Sequence, residues 1–244
     1  STVELYVYDI ATGKRTKVDV GAEVDQYIPR IGWTPRGELY FFRENRLQNH
    51  FEVLLASADG ESRVIYDERS PRYVERVDDR TVTFLSDGDR FVVRNETESG
   101  YYHLYLYSAS RGRLRALTEG AWEVTEVVEV TDERVYFLST ETSPLRRNLY
   151  SVKLNGRDKR RITDRDGMYR IAPSRGMRYY ISYFSSVDDP QVVTLHRANG
   201  EQVRVLEDNA DYVKATIDLP RKEFFTFTTE RGDRLNGYMV RPSD

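Results

Sequence analysis

The chain contains no cysteine, only three histidines, and no apolar run near the about 18 residues a membrane-spanning helix needs. Without cysteine there can be no disulfides, thiolate metal centres or cysteine nucleophiles, although the compartment stays open because secreted proteins need not contain disulfides. Three scattered histidines leave little room for imidazole chemistry, and neither a metal site nor a cofactor is expected. Charge of one sign is missing as well. Lys+Arg 37 against Asp+Glu 40 leaves a net charge of −3, so no basic field points to nucleic acid. The opening Ser-Thr-Val-Glu lacks the shape of a signal peptide, and no stretch carries convincing helical periodicity. What is present is 39% apolar and 32% charged residues in a 244-residue chain, enough for a sizeable core in a soluble protein. Aromatics reach 12%, with 18 Tyr and 10 Phe, which favours strands.

Self-similarity organises the rest. Short turns recur at Ala11-Thr12-Gly13, Ala58-Asp59-Gly60, Ser110-Arg111-Gly112, Leu154-Asn155-Gly156 and Ala198-Asn199-Gly200, their glycines 47, 52, 44 and 44 residues apart. Glycine between alternating runs marks a hairpin, because it enters positive φ without a steric penalty. Each turn follows an alternating strand, such as Glu4–Tyr8, Phe51–Leu55, His103–Tyr107, Asn148–Val152 and Gln191–Leu195. A shorter basic or polar strand comes after it. Two further runs fill each gap: Ile28–Trp33 with Leu39–Arg43, Tyr73–Val77 with Phe91–Asn95, Val124–Val130 with Val135–Ser139, and Met168–Ala172 with Tyr179–Phe184. Extra pairing is possible at Thr81–Leu85.

Four strands every 44–52 residues is the signature of propeller blades, whereas a sandwich would not repeat the same phrase in register. The expected fold is all-β, a partial β-propeller of four-stranded blades. An incomplete blade occupies 1–22, and four blades follow at about 23–68, 69–120, 121–165 and 166–210. This is about half of an eight-bladed ring. An open arc leaves apolar blade faces uncovered, so the chain is expected to be a piece of something larger or to assemble with copies of itself. After residue 220 the pattern changes, and Glu223–Thr229 and Leu235–Arg241 flank the turn Glu230–Asp233 as a hairpin outside the blade phrase.

Several phrases resemble one family. Gly232-Asp-Arg-Leu-Asn-Gly-Tyr-Met-Val-Arg-Pro242 is similar to the opening hairpin of the hydrolase domain in prolyl oligopeptidase-type serine peptidases, and the dipeptidyl peptidase IV branch matches best. The resemblance runs in order through Asn95–Tyr105, Leu117–Val124, Arg147–Tyr150, Thr194–His196, Val205–Asn209 and Leu219-Pro220. It implies the second half of an eight-bladed propeller at 1–220, then a linker and the first strands of a truncated α/β-hydrolase domain at 221–244. It also implies a parent enzyme that releases N-terminal X-Pro and X-Ala dipeptides from a peptide substrate through a Ser-His-Asp triad. The partners implied are the missing propeller half and hydrolase domain, with a homodimer and an extracytoplasmic location. The competing function is a non-enzymatic propeller scaffold for protein–protein contacts.

No Gly-x-Ser-x-Gly elbow occurs in the sequence, so the chain alone is expected to carry no catalytic residue. His50, His103 and His196 fall in or at the start of third strands and read as packed or hydrogen-bonded residues. Glu96 and Glu98 do not match the family's amine-binding glutamate pair. The resemblance offers Tyr73 and Arg76 as substrate-binding candidates, since the family has an aromatic and an arginine in roughly that segment. Strand residues opening a blade explain the two equally well. The runs Arg157–Arg161 and Arg111–Arg115 read as solvated outer strands rather than a nucleic-acid face. Arg supplies 31 of the 37 basic residues, which favours carboxylate ladders between blades. Trp33 and Trp122 are expected in the core near the ring centre.

Overall fold

Alternating apolar residues commit each segment to a strand with one face for each neighbouring sheet. The computed structural model describes residues 2–75, 80–187, 189–215 and 222–241. It begins with a two-stranded sheet of β1 (Leu5–Tyr8) and β2 (Arg15–Val18). In the next sheet β3 (Gln26–Tyr27) and β4 (Ile31–Trp33) both pair with β5 (Leu39–Asn45), followed by β6 (His50–Ala56) and β7 (Ser62–Arg69). Three four-stranded sheets come next. They are β8 (Val82–Phe84), β9 (Arg90–Asn95), β10 (His103–Ser108) and β11 (Gly112–Ala116); then β12 (Val124–Val130), β13 (Arg134–Ser139), β14 (Asn148–Lys153) and β15 (Arg160–Arg161); then β16 (Met168–Pro173), β17 (Tyr179–Ser185), β18 (Val192–Arg197) and β19 (Gln202–Glu207). Neighbouring strands are antiparallel and follow chain order, with β3 and β4 together taking the first place in their sheet, the arrangement of propeller blades. A short helix α1 (Ala210–Ala215) leads toward the final hairpin, β20 (Lys222–Thr228) and β21 (Arg234–Val240).

The core is a series of apolar layers between consecutive sheets. Phe42, Phe51 and Val53 of one blade meet Val82, Phe91 and Val93 of the next. Leu104 and Leu106 meet Val127, Phe137 and Val152, and beyond them Leu138 and Leu149 meet Tyr169, Ile171 and Tyr180. Each such side chain contributes about 1.5–3 kcal/mol when removed from water, so the blades hold one another through these layers.

Two expectations are corrected. Tyr73–Glu75, the described part of the Tyr73–Val77 run, forms no strand, and the first strand of that blade is β8; Arg76 and Val77 lie outside the described residues. Arg72 and Tyr73 each donate their backbone N–H to Ser70 Oγ (3.2 and 3.1 Å), and the Val74 N–H donates to the Gln48 carbonyl (2.7 Å). Loop bonds therefore use the donors that a ladder would need. Trp33 is 61% exposed rather than core. It pairs with Leu39 on the face turned to β1–β2, but that two-stranded sheet covers Leu39, Phe41, Leu54 and Ala56 and leaves the inner strand bare. Trp122 does pack, stacked on Phe137 with centroids 6.4 Å apart.

The basic runs are neutralised locally. Arg134, Arg160 and Lys153 converge on Asp158, and Arg160 and Arg134 hold its carboxyl well below the usual range. Between blades, arginine reaches backbone as well as carboxylate: Arg63 Nη1 donates to the Ala109 carbonyl (2.6 Å) and Arg115 Nη1 to that of Asn155 (3.2 Å), while Arg80 pairs with Glu126.

Candidate functional site

Antiparallel order gives the arc two rims. The glycine hairpins and the turns between first and second strands lie on one rim. The loops from second to third strands, and the connections from one blade to the next, lie on the other. The second rim carries the longer, more varied loops and therefore most of the candidate chemistry.

Tyr73 lies on this rim in the connection between the first two complete blades, 51% exposed and held by the Ser70 turn on one side and buried Val74 on the other. Arg76, its companion from sequence, lies outside the described residues. Two residues past Tyr73, Glu75 accepts a short hydrogen bond from the Tyr102 hydroxyl, and the Arg94 guanidinium sits 4.4 Å over the Tyr102 ring. Burial, with the Glu75 bond next, pushes the Tyr102 phenol far up, so it remains a donor. Burial also raises the Glu96 carboxyl, aided by the charges of Glu75 and Glu123. Among the described residues, the Arg94 guanidinium thus stands with three carboxylates, Glu75, Glu96 and Glu123, a negative patch suited to attracting a cationic group.

Behind the patch, the Tyr66 hydroxyl donates to Glu68 (2.8 Å) and accepts from Asn95 Nδ2 (2.7 Å), while Thr97 donates to the other Glu68 oxygen (3.0 Å). Glu98 accepts from Arg113 (2.8 Å) and Tyr107 (3.2 Å), which leaves it an outer-strand partner rather than half of a carboxylate pair with Glu96.

Along the same rim, a cleft of about 840 Å³ opens where the final hairpin meets the arc, lined by Ser143, Arg146, Asp166 and Ser186 on one side and Lys222 and Phe224 on the other. That size falls within the range of small-molecule clefts, about 300–1,000 Å³. Arg146 and Arg161 both engage Asp166 in its wall.

The histidines divide. His103 is buried, with Nδ1 at 3.0 Å from Thr118 Oγ1, Nε2 at 2.9 Å from the Gly120 carbonyl, and its ring edge-on to Trp122. His196 stacks on Tyr180 at 4.9 Å and bonds Thr194 (2.6 Å) and the Gly200 carbonyl (3.0 Å). Both are structural, as their strand positions implied. His50 instead meets Asp67 and Glu52 at 2.7 and 3.7 Å, a grouping that strand position alone did not reveal.

Comparison with known proteins fits this geometry. A family model described as the dipeptidyl peptidase IV (DPP IV) N-terminal region matches residues 1–191. The chain belongs to this family. The crystal structure of Porphyromonas gingivalis dipeptidyl peptidase 4 superposes with a TM-score of 0.91 at 32% identity, covering 99% of this chain and 35% of that one. Dipeptidyl peptidase 4 of Arthroderma otae is 25% identical over 248 residues, 96% of this chain and 32% of its own length. The Bos taurus enzyme is 31% identical over 172 residues, 65% of this chain and 22% of its own. The chain thus spans about a third or less of the relatives it matches. It is a dipeptidyl peptidase IV-like propeller region, and among its described residues no helix is long and apolar enough to cross a membrane.

Sequence reasoning reached Tyr73 through this family likeness but missed Glu75, Arg94 and Tyr102. Their signal was topological: Arg94 lies near the end of β9, Tyr102 just before β10 and Glu75 in the connection after β7, all on the same rim.

Proposed function

We propose that the chain is the second half of an eight-bladed propeller at 1–220, with the first hairpin of an α/β-hydrolase domain at 221–244. The whole would be a serine exopeptidase that releases X-Pro and X-Ala dipeptides from peptide N-termini. In this reading the propeller walls and gates the cleft, while the nucleophile, its histidine and its acid come from the rest of the polypeptide. One observation carries the reading: the hairpin β20–β21 meets the arc on the rim that bears Tyr73 and the Glu75–Tyr102–Arg94 group. A hydrolase domain continuing from that hairpin faces those side chains, and the carboxylates around Arg94 favour approach of a protonated amine. Tyr73 offers an aromatic surface to the substrate. Homodimerisation and an extracytoplasmic location go with this proposal.

The test is turnover by the full-length polypeptide of Gly-Pro and Ala-Ala chromogenic amides, beside N-acetylated controls. Free-amine substrates are expected to be cleaved and acetylated ones not. Residues 1–244 alone are expected to be inert. Tyr73→Ala is expected to raise KM severalfold with kcat nearly kept, the pattern of lost uniform binding. Turnover by residues 1–244, or no dipeptide release by the full-length protein, sinks the reading.

A further inference from the structure

Strand β6 opens with His50-Phe51-Glu52, so His50 and Glu52 share one face, the face on which Leu54 and Ala56 pack toward β1–β2. The ladder sets Asp67 of β7 directly opposite Glu52. As a result His50 Nε2, a Glu52 oxygen and an Asp67 oxygen all lie within 4.8 Å of one another. The carboxylates are already oriented. Glu52 Oε2 accepts from Arg43 Nε at 2.7 Å and Asp67 Oδ1 from Arg69 Nε at 3.3 Å, which leaves Glu52 Oε1 and Asp67 Oδ2 turned to the imidazole. Arg43 is fixed in turn by donating Nη1 to the Val20 carbonyl at 3.0 Å. Glu52 is buried, so its position is set by the fold rather than by solvent.

We propose that His50 Nε2, Glu52 Oε1 and Asp67 Oδ2 form a three-ligand site for Zn²⁺ that ties β6 to β7 on this blade face, with the fourth position left to water. One imidazole and two carboxylates suit zinc, whereas Mg²⁺ and Ca²⁺ favour all-oxygen shells. Bonds of about 2.0–2.2 Å place tetrahedral ligand atoms about 3.3–3.6 Å apart. The 2.7 Å contact must widen by about 0.7 Å and the 3.7 Å contact close by about 0.3 Å, with the Glu52–Asp67 pair, within 4.8 Å, brought to the same span. Asp67, the most exposed of the three, can turn to do so. Two guanidiniums balance the two carboxylates, so charge alone draws no cation here. Selection falls to a metal that gains from nitrogen coordination. The arginines then act as the outer partners that hold ligating carboxylates in place.

The full-length polypeptide, stripped with chelator, is titrated calorimetrically with Zn²⁺ and separately with Mg²⁺. Its melting temperature is followed in parallel. One Zn²⁺ site is expected, with a raised Tm and no response to Mg²⁺. His50→Gln and Asp67→Asn should each weaken that site at least about tenfold and remove the Tm gain. Asp67→Asn alters an exposed side chain and gives the answer even if His50→Gln folds poorly. Identical Zn²⁺ titrations for wild type and Asp67→Asn, or no uptake by the wild type, overturn the assignment and leave a hydrogen-bonded His–Asp pair.

Discussion

Removing one hydroxyl tests how adjacent blades are joined. Tyr66 of β7 donates to Glu68 and accepts from Asn95 of β9, so its oxygen connects two sheets. In Tyr66→Phe the ring keeps its edge-on contacts with Phe51 (6.0 Å) and Tyr107 (5.1 Å), and only the polar link is lost. A hydrogen bond to a charged group contributes about 1.5–3 kcal/mol, and a buried donor left orphaned costs about 1–3 kcal/mol. The two overlap through relaxation, so the expected loss is about 3 kcal/mol, or about 6–12 °C in Tm for a protein of this size.

The loss must also depend on pH with a definite sign. Burial is the main reason that the Glu68 carboxyl is raised, while the Tyr66 bond pulls it back down. A raised carboxyl favours the folded state while it is protonated, and that stability fades as pH rises through the folded-state pKa. Without the hydroxyl the carboxyl rises further, so the penalty of Tyr66→Phe grows from pH 5 to pH 8. Urea midpoints at the two pH values, with unchanged slope, measure this. Adding Asn95→Leu removes the orphaned donor and is expected to recover about 1–2 kcal/mol. A cost below about 1 kcal/mol, or one that shrinks as pH rises, would refute the account of this junction.

Gly60 has φ +93, and a Cβ there would stand 2.1 Å from the Lys17 carbonyl oxygen of the neighbouring sheet; Gly112 has φ +76 with open space around it. Gly112→Ala should therefore cost about 1–2 kcal/mol and Gly60→Ala more than about 3 kcal/mol, read as a difference in urea midpoint. His103→Ala strips bonds to Thr118 and Gly120 and the edge contact with Trp122. Its expected cost is about 2–4 kcal/mol, with a red shift of tryptophan emission as Trp122 loosens. Phe137→Ala empties a fully buried position in the layer between two blades and should cost about 3–5 kcal/mol by the same unfolding measurement.

The blade phrase was legible because strand periodicity and glycine turns are local properties. Val124–Val130 and its hairpin partner appear in the structure almost residue for residue as read. The misreadings share a different cause. Tyr73–Val77 alternates like a strand, yet Ser70 and Gln48 claim the backbone donors of Arg72, Tyr73 and Val74. Whether an alternating run pairs depends on which donors its neighbours leave free. Trp33 looks like core by type, but its exposure follows from how far the adjacent two-stranded sheet reaches across the blade. The Glu75–Tyr102 bond joins two loops 27 residues apart, and no spacing rule brings those loops together.

Register explains why the His50 grouping and the Tyr66 junction were both invisible in the sequence. Counting back along β6 and β7 from the pair Ala56–Ser62, an unbroken ladder would set Tyr66 opposite Glu52 and send Asp67 to the other face. The ladder shifts instead between Val53 and Leu54, so Val53 meets Tyr66 and Glu52 meets Asp67. One extra residue, Ile65, thus exchanges the two faces for everything beyond it on β7. It turns Tyr66 into the layer shared with the next blade, where it reaches Asn95, and turns Asp67 toward His50. The consecutive buried pair Ile65-Tyr66 is the trace that this bulge leaves in the strand. A two-residue period cannot register it, because the period itself is what the bulge resets.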